Sequence, residues 1–199
     1  MLNNCPLEYA SNEGDFVVIG LGTNDNSVLT YNKALNEDYS KMTDENDTRQ
    51  FDEADFKEMY GTIVKDALKA GTTVIILTPP TSNGAVNTER TAFDASKITT
   101  AATPLIKEVY TENVSNGKLY LVDISVLYTD VLNGLISGGK TLAELRSTST
   151  TADGVTTHTP GLIFVDSVHF TEYGADLLAQ TVANGFKTVD GLKDYLTIE

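Results

Sequence analysis

"ADFKEMYGTIVKDALKAGTTVIILTPP" occupies residues 54–80 and carries two periodicities in succession. In its first part Phe56, Met59, Tyr60, Ile63, Val64, Ala67 and Leu68 recur at i, i+3, i+4 and i+7. That is the apolar stripe of an amphipathic helix. Gly71 follows the last turn and is the expected C-cap. The chain then changes character. "TTVIILTPP" (72–80) is a continuous apolar run with no alternation, as expected of a strand covered on both faces of a parallel sheet.

Two further runs of the same kind flank it, "DFVVIGLG" (15–22) and "KLYLVDIS" (118–125). A second helix is expected over much of 92–114, with Leu105, Ile106, Val109 and Tyr110 on its inner face. A last helix is expected from Thr171 to Lys187, buried through Leu177, Leu178, Val182 and Phe186, with Thr171 as N-cap. Strand, helix, strand, helix, strand, helix predicts a doubly wound, flavodoxin-like α/β fold with a parallel sheet in a three-layer α/β/α arrangement. There are no internal repeats. The Ser/Thr/Gly-rich segment 137–160 reads as a long loop holding His158, with one helical turn at Leu142–Leu145.

The polar, acidic segment 36–55 reads as a surface insertion. An EF-hand loop counted from Asp44 needs Gly at its sixth position. Arg49 stands there, so the segment is a solvated loop and not a calcium site.

Composition narrows the function classes. The chain has 199 residues, the size of one domain. Its 28 acidic against 14 basic residues give a formal charge of −14. Nucleic-acid phosphates and anionic lipid surfaces both require basic surface, so neither is an expected partner. The one cysteine, Cys5, excludes an internal disulfide and a multi-thiolate metal site. With only His158 and His169 beside it, a structural zinc cluster is not expected either. No run of about 18 apolar residues suggests a transmembrane helix. The first fifteen residues lack the basic and apolar regions of a signal peptide. The compartment stays open on this sequence, and a signal peptide ahead of Met1 would make the protein secreted.

In open α/β sheets, ligands bind beyond the carboxyl ends of the strands. Asn24 and Asp25 follow the first strand, Thr78, Pro79 and Pro80 end the second, and "FVDSVHFTEYGA" (164–175) leads into the final helix. Within the last, Asp166 and His169 stand three residues apart. On a turn entering a helix, this spacing lets a carboxylate reach an imidazole nitrogen, fix the tautomer and leave the other nitrogen as a general base. Taken alone, the pair reads first as a partly buried histidine at a helix start with Asp166 as its cap, because four-residue motifs recur often by chance. Asn24 reads as a turn residue, or as an amide donating to an oxyanion. Asp25 is placed to hold the loop.

Together these patterns resemble a known family. "GTND" (22–25) directly after a buried strand, and "DxxHxxxxG" (166–174) directly before the final helix, resemble the blocks of the SGNH (GDSL-type) esterase and lipase superfamily. "FKEMYGTIVKDALKAGTTVIILTPP" (56–80) and "TPLIKEVYTENVSNGKLYLVDISVLYTDVL" (103–132) resemble the central helices and strands of that fold. The layout is most similar to its rhamnogalacturonan acetylesterase branch. The resemblance covers nearly the whole chain and implies a single SGNH-hydrolase-like domain over residues 1–199. It implies His169 as catalytic base, Asp166 as its acid partner, Asn24 as oxyanion donor, and Gly22 and Asp25 in support. It implies no metal or organic cofactor. Acetylated carbohydrate or another small ester is the substrate class implied.

The resemblance is incomplete at one point. The family nucleophile is the serine of a Gly-Asp-Ser block well ahead of "GxND", and a glycine in a second block adds another oxyanion donor. No Gly-Asp-Ser occurs in the chain, and only fourteen residues precede Asp15. Ser11, Ser27 and Ser167 read as ordinary polar residues. The expectation is therefore that the chain begins partway through the fold, as its C-terminal portion, with the N-terminal strands absent. The strand at 15–22 would then expose an edge open to pairing with another chain or with a missing N-terminal segment. Three readings follow: an esterase whose serine lies elsewhere in the polypeptide, a non-catalytic relative binding a glycan or partner, and a split enzyme completed by a second chain. A flavodoxin-type cofactor binder is a fourth, and it would need a phosphate-cradling loop that is not in view.

Overall fold

A computed structural model of the chain describes residues 16–25, 53–97 and 102–193. Cys5, Ser11, Ser27, most of the acidic insertion and the Asp44–Arg49 count lie outside the described residues. The chain divides into two compact units, Met1–Pro79 with Thr100–Val122, and Pro80–Thr99 with Asp123–Glu199.

The first unit is built on three parallel strands in the order β1 (Phe16–Ile19), β2 (Thr73–Leu77), β3 (Leu119–Val122). The register pairs Ile19 with Ile76, and Ile76 with Leu121. Helix α1 (Glu53–Lys69) leads into β2, and α2 (Ala102–Asn113) leads towards β3. The expected stripe of α1 is the buried one: Phe56, Tyr60, Val64 and Ala67 enter the core, with Met59, Ile63 and Leu68 packed at its margin. Gly71 closes the helix by donating its N–H to the Leu68 carbonyl at 3.0 Å. Leu105, Ile106 and Val109 of α2 complete this core with Ile19, Val74, Ile76 and Leu119. Gly61 lies in van der Waals contact with the Val109 methyls, 4.0 Å from where its Cβ would stand, so the two helices meet closely at this point.

The central strand is buried on both faces, as its continuous run of Val74, Ile75 and Ile76 requires. The outer strand departs from expectation. Val17 and Ile19 pack into the core, while Phe16 and Val18 remain 45% and 50% exposed. Its apolar run looks like a doubly covered strand in sequence, yet among the described residues only one face is covered. The second helix is shorter than its pattern suggested. Residues 92–97 form a bridge between Val86 and Phe93 and a single 3-10 turn, because the Phe93 peptide is tied to the Asn133 side chain instead of to a helix ladder.

The second unit holds α3 (Ile124–Ser137), the one-turn α4 (Leu142–Leu145), an antiparallel hairpin β4 (Thr148–Ala152) and β5 (Val155–Thr159), and α5 (Glu172–Thr188). Two elements here correct the sequence reading. "KLYLVDIS" does not run as one strand to residue 125: β3 ends at Val122 and α3 starts at Ile124. The long loop 137–160 has its expected turn at Leu142–Leu145, closed by a Thr141–Glu144 capping box, but continues into the hairpin. Its turn is Asp153-Gly154, both with positive φ (51° and 77°), which is the signature of a type I′ hairpin. The final helix is as expected, with Thr171 accepting from the Gly174 N–H. Its fully buried residues, however, are Gly174, Thr181 and Gly185, while Leu177, Leu178, Val182 and Phe186 are half-buried.

The fold class is α/β with a parallel three-stranded sheet and flanking helices, consistent with a three-layer α/β/α architecture.

Candidate active site

The first unit carries Gly22, Asn24 and Asp25 just beyond the carboxyl end of β1. Gly22 is buried with φ of +116°, a backbone conformation that L side chains rarely adopt. A Cβ there would stand 3.0 Å from Ile106 Cδ1 and 3.2 Å from Pro79 Cγ. Residues 23–25 then turn helical, leaving the Asn24 side chain exposed and Asp25 half-buried. Gly22→Ala is expected to lower stability by about 2 kcal/mol, from backbone strain and overpacking together. An unchanged urea midpoint would contradict this account of the turn.

The second unit carries Asp166 and His169, and the structure brings them together. The His169 ring Nδ1 lies 2.7 Å from Asp166 Oδ2. The other carboxylate oxygen, Oδ1, accepts from the backbone N–H of His169 at 2.8 Å and of Val168 at 2.9 Å. One carboxylate oxygen therefore shapes the turn while the other holds the ring. The loop is closed at its base by Val165 N–H donating to the His169 carbonyl at 2.9 Å and by a bridge between Phe164 and Phe170. Phe164 and Phe170 stack at 5.3 Å between centroids, and the Tyr128 ring meets Phe170 edge-on at 5.6 Å. Tyr128 also donates its hydroxyl to the Gly174 carbonyl at 2.8 Å, pinning the start of α5. An apolar floor therefore carries a polar rim on which His169 is 77% exposed and Asp166 25% exposed. Among the described residues no group bonds His169 Nε2.

These contacts hold the Asp166 carboxyl well below the usual carboxylate range, led by the His169 N–H, then the Val168 N–H, then the His169 ring. A carboxyl whose folded pKa is depressed adds stability above its unfolded value, near pH ~4, and loses it as pH falls through the lower folded value. The stability difference between the native chain and Asp166→Asn should therefore shrink as pH falls below about 4. Urea unfolding across that range checks this, and a difference that grows in acid would refute it.

His158, the other histidine, is exposed on β5 opposite Ser149. No group of three or more His, Cys, Asp or Glu among the described residues is placed to hold a metal ion. None of their helices is long and apolar enough to cross a membrane.

No family model matches the chain, and no curated protein matches it. Among solved structures, the crystal structure of protein YxiM from Bacillus subtilis is similar, with a TM-score of 0.54 at 20% identity over 88% of this chain. The chain spans 37% of that protein's length. The likeness is one of fold.

Sequence reasoning missed Asn83, Arg146 and Ser147, which surround the Asp166 loop from outside it. Asn83 donates its backbone N–H to the Ser167 carbonyl at 3.0 Å, and Ser147 donates its hydroxyl to the Asp166 carbonyl at 2.8 Å. Both lie in segments that read as plain polar loops, and only burial distinguishes them: Asn83 is 9% and Ser147 5% exposed. The "ADG" between Thr-rich runs was the one legible signal nearby, since it marks the hairpin that Ser147 precedes.

Proposed function

We propose that the chain is the acid–base part of an SGNH-type carboxylic-ester hydrolase acting on acetylated carbohydrate. The observation that carries this is the Asp166–His169 pair: a carboxylate bonded to Nδ1 and an exposed ring whose Nε2 has no partner among the described residues. Such an imidazole is set to take a proton from a hydroxyl and return it to a leaving alkoxide. The reaction is acyl transfer in two steps. A serine Oγ attacks the ester carbonyl carbon while His169 Nε2 accepts its proton. Collapse of the oxyanion formed expels the alcohol, protonated by His169. Water then attacks the acyl-enzyme with His169 again as base. Asp166 holds the tautomer and balances the imidazolium. The chain holds no Gly-Asp-Ser block, so in this reading the serine comes from polypeptide outside these 199 residues or from a second chain.

Acetyl-ester hydrolysis by the full reading-frame product, with His169→Ala beside it, tests the proposal. Hydrolysis that depends on His169 supports it. Glycan binding without turnover, unchanged by His169→Ala and Asp166→Ala, would replace it with a non-catalytic binding role. That second reading is favoured by one observation, the uncovered face of β1, where Phe16 and Val18 are 45% and 50% exposed. An apolar face of this kind suits a covering partner.

A further inference from the structure

We infer that Ser147, held by Asn83, is a positioning residue for the Asp166–His169 pair. The inference rests on the esterase reading for its consequence in catalysis, but its geometry stands apart from that reading.

The Asp166 side chain spends both oxygens inside its own turn, on the His169 and Val168 N–H groups and on the imidazole. What orients that turn from outside are two main-chain carbonyls. The Asp166 carbonyl accepts the Ser147 hydroxyl at 2.8 Å, and the Ser167 carbonyl accepts the Asn83 N–H at 3.0 Å. The two donors are themselves locked together. The Asn83 side chain reads the Ser147 peptide as a neighbouring strand would: its Oδ1 accepts from the Ser147 N–H at 3.0 Å and its Nδ2 donates to the Ser147 carbonyl at 3.1 Å. Arg146 Nε donates to the Asn83 carbonyl at 2.6 Å, closing the set. Residues 83, 146–147 and 166–167 thus form one hydrogen-bonded clamp from three separate segments, and its two central side chains are buried. Buried polar groups in such a set are costly to leave unpaired, so each fixes the position of the others.

The clamp sits between the dyad and an unusual element. β4 begins immediately after Ser147, and every residue of β4 and β5 is exposed, eight of the ten being Thr, Ser or His. The hairpin has no core of its own to hold its base. The Asn83–Ser147 pairing supplies that hold, and the same serine carries the hold on to the Asp166 peptide.

The imidazole tautomer gives the test. A free imidazole prefers its proton on Nε2, whereas a carboxylate on Nδ1 selects the Nδ1–H form. Long-range ¹H–¹⁵N spectra of the labelled 199-residue chain, with His158→Gln to leave one histidine, report the ratio of the two forms. The native chain should show predominantly Nδ1–H, and Asp166→Asn should abolish that preference. Ser147→Ala is expected to lower the Nδ1–H to Nε2–H ratio about fivefold, the weight of one neutral hydrogen bond, with amide signals away from the clamp unmoved. Ser147→Thr, which keeps the hydroxyl, should restore it. Should Ser147→Ala not fold, Asn83→Ser is expected to shift the ratio the same way. A native ratio in Ser147→Ala, or a change seen only when the amide spectrum collapses, overturns the inference. In a full reading-frame product that hydrolyses esters, Ser147→Ala should reduce kcat about tenfold at unchanged KM. A shifted tautomer in a protein without esterase activity would sink the esterase reading and leave the positioning role in place.

Discussion

Ester hydrolysis by the full reading-frame product is expected to fall at least about a thousandfold when His169 is replaced by alanine. The size follows from what the ring does. In the proposed esterase reading it takes the proton from the attacking serine and gives one to the departing alkoxide, so both steps of acyl transfer would lose their catalyst. Asp166→Asn should cost nearly as much, because the ring would lose the carboxylate on Nδ1 and favour the tautomer with its proton on the wrong nitrogen. The two losses should not add. A double variant no slower than His169→Ala would mark the pair as one unit. Progress curves with an acetyl ester, and kcat and KM separately, give the answer. Retained hydrolysis in His169→Ala would remove the enzyme reading at its centre, since the other described histidine, His158, lies exposed on the hairpin.

The second large effect concerns the core. Phe56→Ala should lower stability by about 4 kcal/mol. Phe56 has no exposed surface, packs on Tyr60 at 5.6 Å between ring centroids, and lies in the cluster formed by α1, α2 and the sheet. Truncation there removes a whole ring from a cavity whose walls are two helices and three strands, and such walls collapse poorly. Urea unfolding followed by circular dichroism measures the loss. Hydrogen exchange in the same variant tests the expectation of one domain. Amide protection lost in α5 together with α1 would mean a single cooperative fold over residues 1–199. Protection kept in α5 would mean that the two compact units unfold separately.

How much of the molecule was legible in its sequence depended on range. The stripe of α1 and the run of β2 were readable because each is a local pattern whose period reports the face it buries. Thr171 as N-cap and the Asp166–His169 spacing were readable for the same reason, since both are contacts across three residues. The half-exposure of Phe16 and Val18 was not, because an apolar strand looks alike in sequence whether one face or two are covered. The start of α3 at Ile124 was hidden by the apolar run before it, in which β-branched residues suit a strand and a buried helix equally.

By itself the sequence determined the alternation of helices and parallel strands, the acidic composition, and a carboxylate–imidazole pair, Asp166 and His169, close enough along the chain to meet. Those are matters of period, composition and short spacing, and they survive without knowledge of any distant residue. Tertiary structure alone decided which strand face stays open, how the Thr-rich segment folds back as a hairpin, and what steadies the Asp166 turn. Asn83, Ser147 and Asp166 are separated by 64 and 19 residues. No local period links them, and only burial of their polar atoms against one another makes them a single clamp.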